Sequence, residues 1–134
     1  MYMYDWSAAQ VNTLLITGHT HQPVFNSLTH LERLYNRLQK ARTLNDADAI
    51  KKIEAEIPRR KREYDFINKS FDQMKPTYFN SGCCCFDDGT ITGIEICDGF
   101  IRLIKWNLAD GKPQRNVAEE ESLLLLSGQL KTSG

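Results

Sequence analysis

The spacing of apolar residues changes once along this chain, near Pro76, and this change restricts the folds that it can adopt. From Leu28 to about residue 72, apolar residues recur every three or four positions, as on one face of a helix. After Pro76 they alternate with polar residues, which is typical of half-buried strands. The change in period predicts an α+β protein in which a helical segment precedes an antiparallel sheet.

The helical segment is predicted to be a hairpin of two helices. Thr29 and Glu32 have the spacing of a capping box, and Asn45-Asp46 interrupts the pattern and can cap the second helix. Pro58 is expected to kink or restart that helix. The apolar stripe consists of Leu28, Leu31, Tyr35, Leu38, Ile50, Ile53, Ile57, Tyr64, Ile67 and Phe71. We expect part of this stripe to remain exposed as an apolar surface for association.

The alternating segment is predicted to form an antiparallel meander. Its strands are expected at about residues 77–86, 90–97 and 100–107. Asp88-Gly89 and Asp98-Gly99 are strong signals for two-residue hairpin turns between them.

The two ends of the chain have weaker patterns. Residues 4–11 are predicted to form a short helix that is capped by Asp5 or Ser7. A C-terminal tail over about residues 108–134 is predicted to contain a polar loop through Val117, a short helix over 119–126 and a disordered end at 132–134.

The segment from Leu14 to Pro23 is predicted to be a buried strand followed by a turn that carries two histidines. The strand, residues 12–17, ends at Gly18, and His19 and His21 follow directly. Neutral imidazoles are common ligands of divalent metals, and loops at the carboxyl ends of strands hold the sites of open α/β sheets. Two histidines in a loop are more often only a polar surface, but their position directly after a buried strand favours a metal site, so both interpretations stay open.

Composition and cysteine placement restrict the partners and the compartment. The chain has no net charge and no apolar run long enough to cross a bilayer, so we expect neither nucleic acid nor a membrane as partner. Cys83, Cys84 and Cys85 are adjacent and Cys97 is the only other cysteine, so no disulfide framework is expected. We therefore expect a protein of a reducing compartment, the cytoplasm.

Two clusters of side chains allow two interpretations each. The basic run at residues 59–62 can be a solvated helix face or a contact for phosphate groups. The cysteine triplet can supply small buried side chains, or Cys83 and Cys85 can bind zinc together with a histidine. The structural interpretation is favoured in both cases, because basic runs are commonly solvated and the paired CxxC spacing of zinc sites is absent.

Two parts of the chain resemble one enzyme family. Residues 14–23, Leu-Leu-Ile-Thr-Gly-His-Thr-His-Gln-Pro, resemble the last metal-binding block of the calcineurin-like metallophosphoesterases. Residues 78–83, Tyr-Phe-Asn-Ser-Gly-Cys, and the predicted strands up to Trp106 resemble the closing Asn-x-Gly segment of that family and its terminal strands. The matching parts, residues 12–26 and 77–106, cover about a third of the chain.

The resemblance implies a fold and an activity. The fold would be the C-terminal part of an α/β/β/α sandwich, with the helical hairpin at about residues 28–72 as an insertion. The activity would be hydrolysis of phosphate mono- or diesters at a centre of two Mn, Fe or Zn ions, which generate a metal-bound hydroxide. His19 would bind one ion and His21 the other, Gly18 would permit the turn, and Asn80 and Gly82 would shape the edge of the site.

The chain departs from the family because most of the expected metal ligands are missing. The sequence contains no Asp-x-His, no Asn-His and no Gly-Asp, and His30 is its only other histidine. Catalytic zinc sites normally use three protein ligands or more, so two imidazoles should bind metal weakly or not at all. We expect residues 1–134 to form a single, partial domain without catalytic residues of its own. It would associate with itself or with the missing N-terminal half, or it would be a non-catalytic interaction module.

Overall fold

The computed structural model of the chain describes residues 2–18, 22–61, 74–82 and 90–131. Within these ranges there are four helices and two sheets, which confirms the predicted α+β class. None of the described helices is long and apolar enough to cross a membrane. In chain order the elements are α1 (Tyr2–Ala8), β1 (Leu15–Thr17), β2 (Val24–Phe25), β3 (Leu28–Thr29), α2 (His30–Thr43), α3 (Ala47–Lys61), β4 (Tyr78–Asn80), β5 (Ile91–Cys97), β6 (Phe100–Ala109), β7 (Lys112–Ser122) and α4 (Leu123–Leu130).

The chain divides into two compact units. The first consists of Met1–Ser27 and Lys75–Gly134, and the second consists of Leu28–Met74. The candidate site lies in the first unit, and the helical hairpin is the second.

Both helix starts in the second unit are as predicted. At the start of α2, Glu32 N donates to Thr29 Oγ1 and Thr29 N donates to Glu32 Oε1, which completes the capping box. At the start of α3, Asp46 Oδ1 accepts a hydrogen bond of 3.1 Å from Ala49 N. These caps form because they need only residues three positions apart.

Over the residues that the structure describes, the apolar stripe of the hairpin is buried or half-buried, so no exposed apolar surface is seen in that part of it. Its core consists of Leu31, Leu34, Leu38 and Ile57, and Tyr35, Ile50 and Ile53 pack against it. The antiparallel helices cover each other's stripes over the described length. Helix α3 includes Pro58 and continues to Lys61 without a restart. The predicted stripe residues Tyr64, Ile67 and Phe71 lie outside the described residues.

The first sheet of the first unit has the order β1-β4-β2. Strand β4 runs parallel to β1, with Leu15 opposite Tyr78 and Thr17 opposite Asn80. It runs antiparallel to β2, with Val24 opposite Asn80. The predicted strand over 12–17 is therefore shortened to three residues, because Asn12 has a positive φ of 54° and donates its N–H to Leu130 O instead.

The second sheet is an antiparallel meander in which β5 and β6 lie where two strands were predicted, and only the third strand differs from the prediction. Its order is β5-β6-β7, and β4 belongs to the other sheet. The turns are Asp98-Gly99 and Asp110-Gly111, in which all four residues have positive φ, as two-residue hairpins of this type require. The predicted turn at Asp88-Gly89 and the triplet Cys83–Cys85 lie outside the described residues.

Up to Lys131, the C-terminal tail thus consists mainly of strand and helix, and the predicted polar loop through Val117 is wrong. Strand β7 is exposed along most of its length, so its sequence shows no alternation of apolar and polar residues. The following helix is α4, Leu123–Leu130, which begins four residues later than predicted because Ser122 Oγ caps it by accepting from Leu125 N. Residues 132–134 lie outside the described residues.

The core of the first unit joins its two sheets and α4. Phe25 and Phe79 come from the first sheet, and their rings meet edge to face with centroids 5.0 Å apart. Ile101 and Leu103 come from β6, and Leu126 comes from α4. The first sheet is thus held against the meander by apolar side chains from segments that are far apart in the chain.

Helix α1 is tied to the start of β4 by polar contacts. The hydroxyls of Ser7 and Thr77 lie 2.8 Å apart, and both residues are fully buried. Lys75 N donates to the hydroxyl of Tyr4, and Lys75 Nζ donates to the carbonyls of Ala8 and Gln10. The ammonium group therefore caps the C-terminus of α1, where a positive charge is favourable. The prediction that Asp5 or Ser7 caps the N-terminus is wrong, because the helix already begins at Tyr2.

Candidate functional site

The carboxyl ends of β1 and β4 lie side by side because these strands run parallel in register. Thr17 lies opposite Asn80, and Ser81 N continues the pairing with a hydrogen bond of 2.9 Å to Thr17 O. A Cβ atom on Gly18 would lie 3.2 Å from Ser81 Oγ, so the two chain segments also approach closely where they leave the sheet. The structure thus brings Gly18, Asn80 and Gly82 to one edge of the sheet.

The two histidines of the candidate metal site, His19 and His21, lie outside the described residues. Gly18, which precedes them, and Pro23, which follows them, are described. Among the residues that the structure describes, no group of three His, Cys, Asp or Glu side chains is arranged to hold a metal ion.

Asn80 is the central polar residue at this edge, and all its side-chain polar atoms are used. Its Nδ2 donates to Thr17 Oγ1 at 2.9 Å and to the hydroxyl of Tyr78 at 3.0 Å. Its Oδ1 accepts a hydrogen bond of 2.9 Å from Gly82 N. The side chain is 1% exposed, so each of these bonds replaces a bond to water that is lost on burial. Asn80 therefore fixes the turn after β4 to the end of β1.

Gly82 is required at its position for two reasons. Its φ is +77°, which residues with a Cβ rarely adopt. A Cβ atom there would also overlap Thr92 Oγ1 and lie 3.4 Å from Pro23 Cδ. Thr92 Oγ1 donates to Ser81 O at 2.6 Å, so β5 of the meander anchors the same turn.

Thr17 and Tyr78 contribute to this edge, and Ser27 holds the opposite, amino end of β4, but none of the three was found from the sequence. Ser27 is fully buried with a positive φ of 64°, and its Oγ donates to Lys75 O and accepts from the N–H groups of Thr77 and Tyr78. The dipeptide Asn26-Ser27 could have been recognised as a turn. Its bonds to the residues before β4 could not, because the partners are about fifty positions away in the chain.

His30 lies in the second unit beside Glu56. Its Nε2 is 3.4 Å from Glu56 Oε1, and Arg60 Nε is 3.6 Å from the same oxygen. Burial lowers the pKa of His30, and the positive charges of Arg33 and Arg60 lower it further. This shift favours the neutral form of His30 at pH 7, although the hydrogen bond with Glu56 and the charge of its carboxylate raise the pKa in the opposite direction. In the basic run, Arg60 forms an ion pair with Glu56 on the same helix, and Arg59 and Lys61 are exposed. These positions fit a solvated basic face.

Cys97 is exposed, and its environment does not activate it. A hydrogen bond with the Asp98 side chain and the charge of that carboxylate raise the pKa of the thiol. A nucleophilic cysteine requires the opposite shift. The remaining cysteines, Cys83–Cys85, lie outside the described residues, so the two interpretations of the triplet are unchanged.

The chain was compared with family models, with curated proteins and with solved structures. None of the three comparisons found a match.

Proposed function

We propose that the chain is the C-terminal portion of a calcineurin-like metallophosphoesterase, a hydrolase of phosphate mono- or diesters with an α/β/β/α sandwich. One observation carries this proposal. The two segments that resemble the family, one with Gly18 and one with Asn80 and Gly82, are far apart in the chain. In the structure both lie at the carboxyl ends of one parallel strand pair. This is the edge at which parallel sheets hold their sites.

The donors of this chain fit part of a dinuclear centre and not all of it. His19 and His21 follow Gly18 in the sequence and would each bind one Mn, Fe or Zn ion. Two imidazoles fall short of the three protein ligands that a catalytic zinc site normally uses. The remaining ligands, among them a bridging carboxylate, would come from the missing N-terminal half or a partner chain, and the isolated chain should be inactive.

The edge strands β1 and β7 differ in how well they can pair with a strand of another chain. Strand β1 lies at the end of its sheet, carries no charge and no proline, and leaves Ile16 42% exposed. Strand β7 ends the meander and carries the features that discourage strand pairing: Lys112, Pro113, three consecutive glutamates and a register shift opposite Leu103 and Ile104. Of these two edge strands, β1 is therefore the better suited to pairing, either with the missing half or with a second copy.

A metal titration combined with an activity assay tests the proposal. Wild-type protein and the variants His19→Ala and His21→Ala would be titrated with Zn²⁺ and assayed with p-nitrophenyl phosphate and its bis-ester in Mn²⁺. We expect weak zinc binding that either substitution abolishes, and no hydrolysis. If wild-type protein and both variants bind zinc equally, the two histidines are not ligands. Turnover that persists through purification and is lost in His19→Ala would show that the chain carries a complete site.

Light scattering at micromolar concentration tests whether edge strand β1 pairs with a strand of another chain. We expect wild-type protein to self-associate and Ile16→Lys to be monomeric, because a lysine on β1 opposes edge pairing. Val117→Lys, on the similarly exposed edge strand β7, is the matched control and should associate as wild type does. A monodisperse wild-type monomer that unfolds cooperatively would show that the chain needs no partner strand.

The alternative function is a non-catalytic interaction module that uses the second unit. The observation in its favour is that this unit has a compact core of its own. In that case wild-type protein would bind no zinc, and deletion of Leu28–Met74 would abolish self-association while Ile16→Lys would not.

A further inference from the structure

We infer that Tyr78 is a positioning residue for the backbone at Gly18 and acts through Thr17, the last residue of β1. The inference rests on the proposed function in one respect, because Gly18 leads into the segment with His19 and His21. The observation that carries it is the triangle of hydrogen bonds among Thr17, Tyr78 and Asn80.

The three side chains meet because of strand geometry. Tyr78 and Asn80 are two positions apart on β4 and therefore project from the same face of the sheet. Parallel pairing places Thr17 directly opposite Asn80. The Tyr78 ring starts one pleat earlier and extends along the face, so its hydroxyl lies 3.0 Å from Thr17 Oγ1 and 3.0 Å from Asn80 Nδ2.

A count of hydrogens assigns the direction of the bond between the two hydroxyls. The amide of Asn80 supplies two hydrogens and each hydroxyl supplies one, but only three bonds link the side chains. One hydroxyl hydrogen is therefore left over. Tyr78 is 5% exposed and its hydroxyl has no further bond among the described residues, so a leftover hydrogen there would be buried and unpaired. Tyr78 therefore donates to Thr17, and the hydrogen of the half-buried Thr17 is the free one.

This assignment makes Thr17 Oγ1 the acceptor of two buried donors. The carbonyl of Thr17 is held as well, because it accepts from Ser81 N at 2.9 Å. Side chain and carbonyl together fix the peptide plane that enters Gly18. Groups that hydrogen-bond metal ligands typically change metal affinity about tenfold to a hundredfold when they are removed, and Tyr78 would act one step further out, on the backbone that leads to His19.

The test uses Tyr78→Phe and Thr17→Val, which each remove one hydroxyl of the triangle while keeping its shape. Thr17→Ser keeps the hydroxyl and should behave as wild type. Ile101→Val, in the core of the same unit but outside the triangle, is the control for a general loss of stability. Hydrogen exchange of metal-free protein is followed by mass spectrometry in peptides that cover residues 15–23 and 78–82. Zn²⁺ affinity is measured on the same variants.

We expect faster exchange in both peptides for Tyr78→Phe and Thr17→Val, with about tenfold weaker zinc binding. Unchanged exchange in Tyr78→Phe would overturn the inference, and so would an equal effect of Ile101→Val. Faster exchange with unchanged zinc affinity would reduce Tyr78 to a purely structural role and would also overturn it. If wild-type protein binds no zinc while exchange responds as expected, the positioning of Gly18 is supported and the proposed metal function fails.

Discussion

The two sheets of the first unit are stabilised in different ways. The strands of the first sheet are two or three residues long, and buried side chains such as Asn80 and Ser27 complete their hydrogen bonds. The meander has strands of seven to eleven residues with a long backbone ladder, and its side-chain bonds, such as Arg102 with Glu120, are largely at the surface.

This difference shows where the protein should be sensitive to substitution. A buried donor left without a partner costs about 1–3 kcal/mol, whereas exposed ion pairs contribute little. The candidate site lies on the sheet with little backbone pairing of its own. Its geometry therefore depends on a small number of side chains that come from distant parts of the chain.

The largest expected effect is that of Asn80→Ala. The substitution removes three hydrogen bonds and leaves Gly82 N buried without its partner, so the free energy of unfolding should fall by about 3–4 kcal/mol. The matched control is Asn116→Ala on β7, where the exposed side chain donates to Asn107 Oδ1. Urea unfolding followed by circular dichroism measures both variants. Equal losses would contradict the difference between the sheets.

The next largest effect is expected for Gly82→Ala, which should lower the free energy of unfolding by about 3 kcal/mol. Part of this is the cost of a positive φ for alanine, about 1–2 kcal/mol, and part is the overlap with Thr92. Gly111→Ala in the hairpin turn of the meander separates the two contributions. Gly111 has a φ of +74° and nothing within 4 Å of an added Cβ, so only the first contribution applies. If both glycine variants have the same midpoint of unfolding, the contact with Thr92 is unimportant.

The smallest expected effect is that of Glu120→Gln, which removes the charge that faces Arg102. The pair is partly exposed, and Arg102 also contacts Glu95. We expect no measurable change in the urea midpoint, because a partly exposed ion pair contributes little to stability. For the same reason, 1 M NaCl, which screens surface charges, should leave the midpoint of the wild-type protein unchanged. A clear loss of stability in this variant would mean that surface ion pairs hold the meander together.

The parts of the fold that the sequence predicted well are those formed by local interactions. The capping box of Thr29 and Glu32, the cap at Asp46 and the turn at Asp98-Gly99 each depend on residues within four positions of one another. Strand β7 was missed because a strand exposed on both faces has no alternation to detect. Strand β4 was assigned to the wrong sheet because its partners, β1 and β2, lie on the far side of the hairpin in sequence.

The sequence by itself determined the α+β class, the two helices of the hairpin, and the presence of Gly18 ahead of two histidines. Only the tertiary structure decided that Thr17, Tyr78 and Asn80 form one network at the end of a parallel strand pair. The physical reason is the range of the interactions. Caps and turns form between neighbours, whereas parallel pairing and the side-chain bonds across it join residues about sixty positions apart. Local pattern carries no information about such pairs.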